Sequence, residues 1–67
     1  MNLHTCTIVL TNNHKLTYHN VEKSLKMIEE HGTSGISNIL IDAVDGKIIR
    51  SYYNLSVEES IESLMDL

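Results

Sequence analysis

The sequence predicts a small α+β domain: four antiparallel strands in one sheet and two helices on one face, in the order ββαββα. Two stretches, residues 3–11 and 36–53, are rich in β-branched residues and alternate apolar with polar, the period of a half-buried strand. Two others, 21–31 and 57–66, repeat apolar residues at helical spacing behind a capping residue. The only glycines, Gly32, Gly35 and Gly46, fall at the boundaries between these stretches, and there is no proline. Residues 1–67 read as one domain without linker, repeat or low-complexity tract.

The first strand, 3–11, places Cys6, Ile8 and Leu10 on one face and Thr5, Thr7, Val9 and Thr11 on the other. Residues 15–19 alternate again, with Leu16 and Tyr18 together. A three-residue loop, Asn12-Asn13-His14, pairs Leu10 with Leu16 and Ile8 with Tyr18 and keeps one apolar face. A two-residue loop would mix the faces, because a slip of one residue flips every side chain. Asn13 or His14 then takes the left-handed position, which both residue types tolerate.

Asn20 is the N-cap expected for the first helix, with Glu22 in the first turn. Val21, Leu25 and Ile28 form its stripe, Met27 lies on the flank, and Gly32 is the expected C-cap. In the second hairpin Asp45-Gly46 is the turn signal. It pairs Ala43 with Ile48, Ile41 with Arg50 and Ile39 with Tyr52, so that Ile39, Ile41, Ala43, Ile48 and Tyr52 face the core. Ser56 and Glu59 form a capping box for the last helix, whose stripe is Val57, Ile61, Leu64 and Met65. The strand order stays open, with either hairpin able to supply the central pair.

Composition excludes several functions. Of 67 residues, five are Lys or Arg and nine are Asp or Glu, a formal charge of −4. The cations form no stripe, so no direct nucleic-acid binding is expected. No apolar run is long enough for a membrane span, and no basic-then-apolar leader is seen, so the expected compartment is the cytoplasm. The single cysteine, Cys6, on a strand reads as a buried hydrophobe and fits a reducing compartment.

No enzymatic chemistry is expected. His4, His14, His19 and His31 lack metal-ligand spacing. The segment His31-Gly32-Thr33-Ser34-Gly35 follows a helix instead of preceding one and lacks a lysine, so it is not a phosphate loop. A chain this short leaves little room for a pocket of about 300 Å³. No catalytic residue, cofactor or metal is therefore assigned.

Two surfaces remain. The sheet face away from the helices carries Val9, Leu40, Val44, Ile49 and Tyr53 among polar residues, an apolar centre with a polar rim. Glu58, Glu62 and Asp66 lie at i, i+4, i+8 on the last helix and form an acidic strip. These eight residues are the candidate partner-binding set. The expected function is a non-enzymatic interaction module, a regulator or inhibitor of the kind common in phages and bacterial mobile elements, bound to another protein. One alternative is a self-assembling structural or accessory protein, a homodimer or larger, since so small a core gains from oligomerisation. Another is a DNA mimic that inhibits a nucleic-acid-binding enzyme. Glu59-Ser60-Ile61 resembles the Glu-Ser-Ile tripeptide of the phage uracil-DNA glycosylase inhibitors, which are small acidic DNA mimics. The resemblance covers those three residues, in a helix whose Ile61 is expected to face the core, and the chain is not assigned to that family.

Overall fold

The structure is a computed structural model describing residues 1–67. Its elements are β1 (Asn2–Leu10), β2 (Lys15–Tyr18), α1 (Val21–Gly35), β3 (Ile36–Asp45), β4 (Ile48–Tyr52) and α2 (Val57–Met65). The order is ββαββα, and all strand pairs are antiparallel in one sheet, β2-β1-β3-β4. Each hairpin thus supplies one strand of the central pair, β1 and β3. Ile28 of α1 and Leu64 of α2 share one core with Cys6, Ile8, Leu10, Ile36, Ile39 and Ile41, which puts both helices on the same face.

Both hairpins keep the predicted faces but shift register by two. In the first, Ile8 opposes Leu16 and Cys6 opposes Tyr18. The loop is Thr11-Asn12-Asn13, closed by the Leu10 amide donating to the His14 carbonyl at 2.8 Å, with Asn13 left-handed at φ 70°. In the second, Ile41 opposes Tyr52, Ala43 opposes Arg50 and Asp45 opposes Ile48. The turn residues are therefore Gly46 and Lys47. Gly46 alone has positive φ, as a turn with glycine at its first central position requires. A two-residue shift preserves facing because side chains alternate with period two. It does change depth: Ile48 moves to the hairpin tip and is 62% exposed, not a core residue as expected.

Two bulges complete the core. Between Leu3 and Thr5, His4 is the extra residue on β1; between Ile36 and Asn38, Ser37 is the extra residue on β3. Each returns a residue that strict alternation would turn outward: Leu3 packs against the core, and Ile36 is buried within it. Gly32, at φ 67°, breaks the helical path at the expected cap position, and one more helical turn, 33–35, follows before β3. The Thr11 amide donates to the Gly35 carbonyl at 3.1 Å, tying that turn to the first hairpin.

These features recur in pairs, a repeat of structure where the sequence shows none. The central strands correspond as Leu3 with Ile36, His4 with Ser37, Cys6 with Ile39, Ile8 with Ile41 and Leu10 with Ala43. Leu16, opposite Ile8, matches Tyr52, opposite Ile41. The helices correspond as Val21-Glu22-Lys23-Ser24-Leu25 with Val57-Glu58-Glu59-Ser60-Ile61, behind the caps Asn20 and Ser56. Even the two bulges are equivalent. The molecule is a pair of ββα halves about a pseudo-twofold axis that passes between Thr7 and Leu40, which oppose each other in the central strand pair. Sequence identity is confined to a few helix positions, so the repeat is carried by register and burial pattern.

Candidate functional site

The open face of the sheet is built on β1, β3 and β4. Along β3 its side chains are Leu40, Asp42 and Val44, the residues between the buried Ile39, Ile41 and Ala43. Asp42 stands at the centre of a row: Thr5 opposes it on β1 and Ser51 on β4. Thr5 Oγ1 donates to Asp42 Oδ2 at 3.0 Å and Ser51 Oγ donates to Oδ1 at 2.6 Å. A carboxylate has about four acceptor sites, so each oxygen can still receive another donor from outside.

This row divides the expected apolar centre. On one side Val44 and Ile49 form a directly opposed pair near the hairpin tip, with Ile49 56% exposed. On the other, Leu40 lies opposite Thr7, with Val9 two residues along β1. Tyr53 is exposed just beyond the end of β4. Val9, Leu40, Val44 and Ile49 thus share one face, two on either side of a clamped carboxylate, and Tyr53 follows the end of β4. Sequence periodicity places Asp42 on this face but cannot show that Thr5 and Ser51 converge on it from two other strands.

Comparison with family models, with curated proteins and with solved structures finds no match to this chain.

The acidic strip is where helical spacing puts it: Glu58, Glu62 and Asp66 are all exposed. Glu59 has a different task. Its carboxylate accepts the Ser56 amide at 3.0 Å while its own amide donates to Ser56 Oγ at 3.1 Å, closing the capping box. Hydrogen bonding from Ser56, its backbone amide foremost and its side chain second, holds the Glu59 carboxyl below its ordinary pKa. Ser60 is wholly buried and Ile61 is half-buried. The Glu-Ser-Ile tripeptide therefore caps and packs α2, and does not form an exposed strip.

Helix α2 also contributes to a feature that sequence reasoning missed. A groove of about 370 Å³ runs between the helices, lined by Leu25, Ile28 and Glu29 of α1 and by Val57, Ile61 and Met65 of α2. Its volume exceeds the pocket of about 300 Å³ for which so short a chain is expected to leave little room. Met65, expected in the core stripe, is 69% exposed at its edge. The signal was present in the helical period: Val57, Ile61 and Met65 lie at i, i+4, i+8, a row one side of the buried Ser60 and Leu64.

Of the remaining reactive groups, Cys6 is buried, and burial pushes its thiol pKa up more than the Ser24 hydroxyl pulls it down. A protonated, enclosed thiol is a poor nucleophile. His19 Nδ1 lies 2.8 Å from the His4 carbonyl oxygen. No three His, Cys, Asp or Glu side chains come together as a metal site would require.

Proposed function

We propose that the protein is a non-enzymatic interaction module that docks another protein on its open sheet face. The carrying observation is the arrangement around Asp42: two exposed apolar clusters flank a carboxylate that is already oriented by Thr5 and Ser51. Orienting the carboxylate in the free protein lowers the ordering cost of binding. The matching partner surface presents apolar side chains on either side of an Arg or Lys. A second copy fits less well, since it brings a like carboxylate and a second charge of −4 to the same interface. Regulation or inhibition of the bound protein is the role that suits a module with no chemistry of its own.

The test begins with affinity capture to identify the partner, followed by calorimetric titration of the purified partner. Leu40→Asp and Ile49→Asp should each abolish binding while circular dichroism stays that of the parent. Asp42→Asn should weaken it by about tenfold or more, the scale of a buried charged hydrogen bond. Undiminished binding by both Asp variants would show that the open face is not the docking surface. Light scattering on the same proteins tests self-assembly: a dimer that Ile49→Asp dissociates would assign the face to a second copy.

A further inference from the structure

The inter-helix groove has an apolar floor and an acidic surround. Glu29 lines it directly. On α2, Glu58 and Glu62 each follow a lining residue, Val57 and Ile61, and so sit about 100° further around the helix, on its solvent side. Lys26, beside Leu25, is the one cation adjoining a lining residue in sequence. The pseudo-symmetry shows that this character is not demanded by the fold. Glu62 occupies the position of Lys26 in the other half, and Met65 that of Glu29. Relative to α1, α2 has exchanged a cation for a carboxylate on its outer surface and a carboxylate for an exposed thioether at the groove's edge.

We infer that the groove between α1 and α2 binds a cationic amphipathic helix of a partner protein. Its α2 wall, Val57–Met65, is about 12 Å long, room for about two turns carrying apolar anchors at i, i+4 and i+7. Flexible Met65 adapts to the shape of such anchors. Lys or Arg flanking the anchors would meet Glu29, Glu58 and Glu62. The same carboxylates repel a fatty acid or other anionic amphiphile, and they repel a second copy of this acidic chain. The inference rests on the reading of the protein as an interaction module and uses a surface opposite the open sheet face.

The probe is a synthetic Leu/Lys peptide with Leu at i, i+3, i+4 and i+7, set against a twin with Glu in place of Lys. Titration followed by amide NMR should show saturable binding of the Lys peptide, with shifts centred on Leu25, Ile28, Val57, Ile61 and Met65. Affinity should fall as salt rises. Met65→Asp and the double change Glu58→Lys, Glu62→Lys should each weaken binding by about tenfold or more, with circular dichroism unchanged. Ile49→Asp should leave it intact. Equal binding of the Glu twin, shifts centred on the open sheet face, or loss of binding in Ile49→Asp would each overturn the groove assignment while leaving the open-face reading standing.

Discussion

The two ββα halves solve the same folding problem with nearly the same devices and then diverge where folding no longer constrains them. Both carry a bulge that turns a terminal apolar residue inward, Leu3 in one half and Ile36 in the other. Both place a wholly buried serine on the helix, Ser24 and Ser60. The first hairpin turns at Thr11-Asn12-Asn13, directly after Leu10. The second runs on past the equivalent Ala43 through Val44, Asp45, Gly46, Lys47, Ile48 and Ile49. That extension outruns the helical cover and accounts for the exposure of Ile48 on the helix side, while Ile49 beside it lies on the open face. Its one ion pair, Arg50 with Asp45 at 3.3 Å, is about half exposed and contributes at most about 1 kcal/mol. Features present twice answer to stability. Features present once, among them the long hairpin, Glu62 and Met65, are employed by our proposals, together with Glu58, whose counterpart Glu22 is also a carboxylate.

The strongest test of that equivalence is in the core. Ile8 and Ile41 are matched positions on the two central strands, and both are buried. Ile8→Ala and Ile41→Ala should each cost about 2–5 kcal/mol in urea unfolding, the range for emptying a packed aliphatic site. For a domain of this size that is a large part of the total stability. If one costs little while the other unfolds the chain, the halves are not mechanically equivalent and the pseudo-twofold is only a likeness of shape.

A smaller effect should carry opposite signs in the two halves. Ser24 Oγ donates to the Asn20 carbonyl at 2.8 Å, whereas Ser60 Oγ, equally buried, has no partner. Removing a satisfied hydroxyl loses a hydrogen bond, and removing an unsatisfied one relieves a desolvation cost. Ser24→Ala should therefore destabilise by about 1 kcal/mol and Ser60→Ala should stabilise by up to about 1 kcal/mol, both read from the shift in denaturation midpoint at constant m. Two changes of the same sign would mean that the serines share an environment after all.

The facing of residues was legible in the sequence far more than their depth. Alternation assigned Cys6, Ile8, Leu10, Ile39, Ile41 and Ala43 to the core face, and they lie there. Alternation cannot distinguish registers two residues apart, so it displaces the turn of each hairpin and draws Ile48 into the core. Leu3 and Ile36 were missed for a related reason: each sits across a bulge that resets the period, and nothing in His4 or Ser37 announces one. The helical stripe was correct for Leu64 but too wide at Met65, because the stripe's outer row lines a groove that no third element fills. On the open face, Val9, Leu40, Val44 and Ile49 lie on the side that alternation assigns, and Tyr53 stands beyond the end of β4. The clamp on Asp42 depends on which residues oppose it across two strand pairs, and that is set by register.

The subtlest difference between the halves lies at the helix starts, and it makes one of them sensitive to pH. Asn20 caps α1 by accepting the Lys23 amide at 3.1 Å, and the residue at that third position is a lysine, which cannot return a bond to the cap. In α2 the equivalent position is Glu59, whose carboxylate does return one. Its pKa is lowered in the folded state, so the folded protein favours the ionised form. The resulting stabilisation is present above the unfolded-state value of about 4.3 and is lost as pH falls through the lower folded value. Comparison of parent with Glu59→Gln by urea unfolding across pH isolates this contribution. The parent should be the more stable at pH 7, and its advantage should shrink as the pH falls below 4.3. The reciprocal change, Lys23→Glu, should confer the same pH-dependent gain on α1, which lacks it. An advantage that stays constant with pH would mean that the Glu59 side chain caps α2 by shape and hydrogen bonding alone, without its charge.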